Sequence, residues 1–266
     1  MKLTPGKLAG MNAVSNERGV IAAAAMDQRG SLQKSLAKEK GAAVSDAMME
    51  EFKTLVSEVL TPHASAILLD PEWGLPASKR RAKNAGLLLA YEKTGYDKTG
   101  PGRLGDLLDH WSVRRLKEAG ADCIKILLYY TPFDPKDIND QKHAWVERLG
   151  DECRANDIPF FLEFVVYEEG VDEKGFDFSK KKPKAVIESM REFTKAFGSY
   201  FLSMSLFGLK QAENMMRPRE RGEAERPCDS SARRHYQRHA GSAWRWTQNS
   251  IRRYRLHPAP GTRLRL

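Results

Sequence analysis

Residues 122–130 read DCIKILLYY and residues 159–166 read PFFLEFVV. Both runs are too continuously apolar for a strand with one wet face, and this is how a parallel strand covered on both sides reads. Each carries one charge in its middle, Lys125 in the first and Glu163 in the second. A charge inside such a strand is costly unless it has a partner or lines a polar cavity. The two lie 38 residues apart, about one strand–helix unit. Neighbouring parallel strands would therefore hold them at similar height, with an ion pair as the expected contact.

The same pattern extends towards the N-terminus. Gly19–Met26, Ala64–Leu69 and Gly86–Ala90 are further candidate strands. Between and after the strands lie helical patterns. Ser45 is placed to cap a helix carrying Met48, Phe52, Leu55, Val56 and Val59 on one side. His110–Ala119 ends at Gly120, where a C′ glycine belongs, and Asp140–Asn156 and Lys184–Phe197 follow. Strand–helix alternation predicts an α/β fold, either an open doubly wound sheet or a barrel. The first strand ends in Asp27-Gln28-Arg29, the second in Asp70-Pro71-Glu72, and the third runs into Glu92. With Lys125 and Glu163, five successive strands then offer charge near their C-terminal ends, where barrel enzymes place their reacting groups.

A buried lysine beside a carboxylate suits carbonyl chemistry. Desolvation or a neighbouring cation lowers a lysine's pKa and frees an amine to form an imine, and a glutamate within reach can move the hydroxyl proton. No HExxH, His cluster or paired Cys suggests a divalent metal, and no GxxxxGK[ST] or GxGxxG follows a strand, so no cofactor is expected. Cys123, Cys153 and Cys228 are widely spaced, which fits a reducing cytoplasm. No run of about eighteen apolar residues and no secretory signal are visible, so a membrane partner is not expected. The residues alone reach a Schiff-base or acid/base enzyme acting on a small carbonyl compound.

Beyond residue 200 the pattern stops. FLSMSLFGL, residues 201–209, reads as a strand or a short buried helix. Residues 201–266 hold 13 Arg, one Lys and five acidic residues, and so carry the whole +9 of the chain, whereas residues 1–200 balance at 30 basic and 30 acidic. So abrupt a change marks a boundary between residues 1–200 and 201–266. Arginines 233, 234, 238, 245, 252, 253 and 255 interleave with aromatic residues, the composition of a nucleic-acid-binding arm. No recognised binding motif accompanies them, so a nucleic-acid partner is not expected.

AMDQRGSL (25–32), ILLDPEWGLP (67–76), GLLLAYEKTGYD (86–97), WSVRRLKEAGADCIKILLYY (111–130) and FFLEFVVYEEG (160–170) resemble, in order and spacing, the strand-end motifs of the class I tagatose 1,6-bisphosphate aldolases. The resemblance covers about residues 10–195. It implies a (β/α)8 barrel of which about five βα units are present. It also implies metal-free cleavage of tagatose 1,6-bisphosphate, through an imine, to dihydroxyacetone phosphate and glyceraldehyde 3-phosphate. Carried over by motif, Lys125 is the lysine that supports the imine centre and Glu163 the acid/base carboxylate. Asp27, Gln28, Arg29 and Glu92 line the substrate site. Related imine-forming aldolases of other phosphorylated or sulfonated ketoses would use the same pair.

The family's imine-forming lysine stands on the sixth strand in a motif like VDVLKVEVP, which this chain lacks. Lys210 is the one lysine nearby, and its surroundings do not match. Ser203-Met204-Ser205 is what a Val-Asp-Val codon run (GTC GAT GTC) yields one nucleotide late, which suggests a frame shift near residues 195–202 and an out-of-frame tail over 201–266, the alternatives being a gene-fusion tail or an aldolase remnant without activity. An unfinished barrel would leave open sheet edges and favour association with a second copy.

Overall fold

The computed structural model describes residues 3–93, 100–173, 175–197 and 202–204, with Phe197 and residues 202–204 in main chain only. Strands β1 (Ala23–Met26), β2 (Ala66–Leu69), β3 (Gly86–Ala90), β4 (Cys123–Tyr129), β5 (Phe160–Val165) and β6 (Leu202–Met204) stand side by side in chain order, all parallel. Helix α1 (Pro5–Val14) precedes them. α2 (Gly30–Lys40) and α3 (Asp46–Leu60) join β1 to β2, and α4 (Leu75–Arg80), α5 (Val113–Glu118), α6 (Lys136–Ala155) and α7 (Phe176–Phe197) make the later crossovers. The sheet curls into part of a barrel, with β1 and β6 at its edges.

The double-sided burial expected from the apolar runs is present, because successive side chains point to opposite faces. Ile67, Leu87, Leu89, Ile124, Ile126 and Leu162 face the helices and form the main core. Ala66, Leu88, Cys123 and Phe161 face inward and pack on Val14 of α1. α1 thus closes the N-terminal end of the arc. It can sit this close only because two positions lack a side chain. A Cβ on Gly10 would lie 2.3 Å from the Asp122 carbonyl oxygen, and one on Gly86 would lie 2.4 Å from that of Ala13. The carboxylate of Asp157 accepts from the amides of Gly6 (2.8 Å) and Lys7 (3.3 Å) and from the Thr4 hydroxyl, fixing the start of α1 against the turn before β5.

Several boundaries differ from those expected. β1 begins at Ala23 rather than Gly19, because the Asn16 side chain accepts from the amides of Arg18 and Val20 and ties residues 16–20 into a turn. α6 begins at Lys136, directly after Pro135, rather than at Asp140. α7 begins at Phe176 and runs through Pro183 instead of starting at Lys184. Packing of Phe178 and Ala185 against Val166 continues the helix across the proline. α5 is shorter than expected, opened by the Ser112 side chain accepting from the Arg115 amide and closed by Gly120 at φ +103°. Residues 202–204 extend the expected five strands by a short sixth, and Lys210 and the arginine-rich stretch lie outside the described residues.

The largest departure is in α3. Ser45 caps it as expected, accepting from the Met48 amide. The row that faces the sheet, however, is Met49, Lys53 and Ser57. Leu55 and Val59, expected to be buried, are 54% and 67% exposed. α3 flanks the edge strand, and among the described residues nothing covers that side.

Candidate active site

The C-terminal ends of the strands bring the expected charges together. Lys125 is the third residue of β4 and points inward, paired in register with Ala90 of β3 and Phe161 of β5. Glu163 is two positions further along β5, opposite Leu127, so the two charges are staggered and the lysine's reach spans the offset. Asp27 follows β1 directly. Glu92 lies just past β3, held by an isolated antiparallel bridge to Leu107.

All three carboxylates converge on one ammonium. Lys125 Nζ lies 2.8 Å from Asp27 Oδ2, 3.1 Å from Glu92 Oε1 and 3.0 Å from Glu163 Oε2. Lys125, Glu92 and Glu163 are buried. Burial alone would lower the pKa of Lys125, but the fields of Glu92, Asp27 and Glu163 outweigh it and hold the group well above the ordinary lysine range. It is an ammonium, without the lone pair that imine formation needs. Burial raises the pKa of Glu92, offset in part by Lys125 and reinforced by Asp27. Burial likewise raises Glu163, again opposed by Lys125. One cation cannot serve three anions fully: among the described residues Glu92 Oε2 and Glu163 Oε1 are buried without a hydrogen-bond partner.

Arg29 is buried and reaches across the same end of the sheet, donating from Nη2 to the Glu92 carbonyl at 2.6 Å and from Nη1 to Glu72 Oε2 at 3.3 Å. Glu72 is exposed and belongs to this link rather than to the carboxylate cluster. Gln28 stands at the same strand end, but its side chain is exposed and its contribution is the main-chain carbonyl. That carbonyl accepts from Lys53, which sequence reasoning passed over because the helix looked amphipathic on another side.

A second polar cluster lies beyond the first, built from the loops after β3, β4 and β5, the end of β4 and helix α6. The Arg103 guanidinium sits over the rings of Tyr129 (5.2 Å) and Tyr167 (4.4 Å) and pairs with Glu173. Lys142 Nζ donates to Asp134 Oδ2 and to Tyr167 Oη, both at 2.9 Å. Here burial wins over Asp134, and the pKa of Lys142 is lowered.

The main chain that builds this constellation also carries a family signature: residues 21–214 match the model of the DeoC/LacD family aldolases. The chain belongs to that family. Tagatose 1,6-diphosphate aldolase 2 of Enterococcus faecalis is 56% identical over 196 residues, 73% of this chain and 59% of that protein. Tagatose 1,6-diphosphate aldolase of Listeria monocytogenes is 53% identical over 196 residues, 73% and 58% of the two chains. Tagatose 1,6-diphosphate aldolase 1 of Streptococcus mutans is 51% identical over 195 residues, 73% and 60%. The chain spans about three-fifths of the length of the curated relatives it matches. Among solved structures, an archaeal fructose 1,6-bisphosphate aldolase overlays with a TM-score of 0.43 at 12% identity, covering 67% of this chain and 65% of that one, too slight a likeness to add to the assignment.

Proposed function

We propose that this site is the acid/base half of a class I aldolase that cleaves tagatose 1,6-bisphosphate, in the cytoplasm and without a metal, to dihydroxyacetone phosphate and glyceraldehyde 3-phosphate. The observation that carries the reading is the clamping of Lys125 by Asp27, Glu92 and Glu163 at 2.8–3.1 Å. A lysine so held is a fixed positive charge, suited to steadying charge at an imine centre formed by another amine. Glu163 has one oxygen on Lys125 and the other bare, with its proton affinity raised by burial. It takes the proton of the substrate hydroxyl as the carbon–carbon bond opens, and returns it in the aldol direction. Asp27 and Glu92 keep Lys125 charged and in place, and Gln28 and Arg29 line the entrance at the end of β1. The names of the tagatose aldolase relatives support the choice of substrate.

The imine-forming amine has no position that the family motif identifies, and we read residues 201–266 as an out-of-frame tail. This chain is therefore expected to have little or no aldolase activity. Borohydride reduction in the presence of dihydroxyacetone phosphate, followed by mass spectrometry of the digest, tests both points. No adduct is expected on the folded protein. An adduct on Lys210 or another lysine would overturn the expected inactivity, and one on Lys125 would overturn its role as the charged support.

A further inference from the structure

Lys53 is a buried cation that the reaction above does not use. Its ammonium leaves α3 towards the sheet and meets the main-chain carbonyls of Met26 and Gln28, each at 2.8 Å, and the carboxylate of Asp70. Lys53 and Asp70 side chains are both 0% exposed. The other oxygen of Asp70 accepts from the amides of Glu72 (3.0 Å) and Trp73 (2.8 Å), so the carboxylate is itself held in the turn after β2.

The two carbonyls gripped by Lys53 flank Asp27, whose carboxylate reaches Lys125. β1 is an edge strand, paired in the described sheet only with β2. A strand end with a neighbour on one side is free to splay, and a slip of an ångström would take Asp27 out of hydrogen-bond range. A buried ion pair is a poor way to gain stability, because apolar residues of similar volume often do as well. Its use here has a geometric return: one ammonium fixes the chain on both sides of a site carboxylate. Through Asp70 it also orients the turn carrying Glu72, the partner of Arg29.

We propose that Lys53, anchored by Asp70, is a positioning residue that holds Asp27 against Lys125. The proposal rests on the reading of Lys125 as the charged support of the site.

Competitive acetylation with acetic anhydride across the alkaline range, read by mass spectrometry of the digest, measures when Lys125 loses its proton. The exposed Lys34 serves as internal standard. Wild-type Lys125 is expected to label at about a tenth of the rate of Lys34 or less at a pH near the ordinary lysine value. In Lys53→Met the labelling of Lys125 should rise about tenfold at fixed pH, as expected when one carboxylate is lost, while that of Lys142 stays put. Should Lys53→Met fail to fold because Asp70 is stranded, Lys53→Met/Asp70→Asn removes both charges and leaves an oxygen for the amides of Glu72 and Trp73. Lys53→Arg should restore part of the protection. A variant with native circular dichroism and an unchanged Lys125 profile would overturn the positioning role. Ordinary labelling of Lys125 in the wild type would instead overturn the reading of Lys125, a separate outcome.

Discussion

Lys125 and Lys142 are both buried lysines near the C-terminal side of the sheet, and their surroundings differ. Three carboxylates stand around Lys125, whereas Lys142 has one carboxylate, Asp134, and one phenol, Tyr167. Desolvation weakens both ammonium groups; it is outweighed at Lys125 and prevails at Lys142, so the two pKa values move in opposite directions. Burial therefore does not by itself make a lysine a nucleophile. The number of anions within reach decides whether a buried lysine is a base or a permanent charge.

The comparison can be broken most directly by deleting each cation. Lys125→Met leaves three carboxylates facing one another without an ammonium and should cost about 3–5 kcal/mol at neutral pH in urea denaturation, partly recovered in mild acid as the carboxylates protonate. Lys142→Met should cost about 1–3 kcal/mol, because Asp134 keeps the Tyr167 hydroxyl as donor. Equal losses would mean that the anion count does not separate the sites. Arg103→Ala removes a cation from two tyrosine rings in the Lys142 region, and a loss of about 1 kcal/mol is expected by the same measurement. Glu92→Gln takes one anion from a cluster with too many, so its melting transition should change by less than about 1 kcal/mol in either direction. A loss as large as that of Lys125→Met would show that all three anions are needed.

The finest test is the slope of stability with pH. Lys125 has its folded pKa above the unfolded 10.5, so its contribution is fully present below about pH 10.5 and is lost as pH rises through the folded value. Lys142 has its folded pKa below 10.5, so the folded chain sheds that proton first, and its penalty is relieved as pH rises towards 10.5. Denaturation at a series of alkaline pH values should show a less negative slope in Lys125→Met and a more negative one in Lys142→Met, each by at most about 1.4 kcal/mol per pH unit. Slopes that move the same way would contradict the opposed shifts.

What could be read in the sequence follows the same division. Lys125 and Glu163 stand out because a charge in an apolar strand has few innocent explanations, and their ion pair is present at 3.0 Å. Asp27, Arg29 and Glu92 were legible as strand-end charges, although the link from Arg29 to the Glu92 carbonyl was not, since a main-chain acceptor leaves no mark in a side-chain pattern. Lys53 was illegible for a related reason. Its partners are two carbonyls and an aspartate read only as a strand-end charge, and α3 displays an apolar row whose Leu55 and Val59 turn out to be exposed. Parallel direction was legible in the apolar runs, whereas the chain-order pairing came only with the family resemblance, since the residues alone left a doubly wound sheet open. Helix starts were not legible: the apolar periodicity predicts them only at Asp140 and Lys184, whereas α6 opens directly after Pro135 and α7 absorbs Pro183 within it.

The seat of α1 has a consequence for how the chain is made. Its start is held by Asp157, and its middle passes close to Asp122 and Pro159. On a ribosome α1 emerges well before its docking groove, which does not exist until more than a hundred further residues have left the exit tunnel. α1 must wait for its partners, a long-range closure that places it late in folding and leaves the N-terminal end of the arc open to chaperones in the interval.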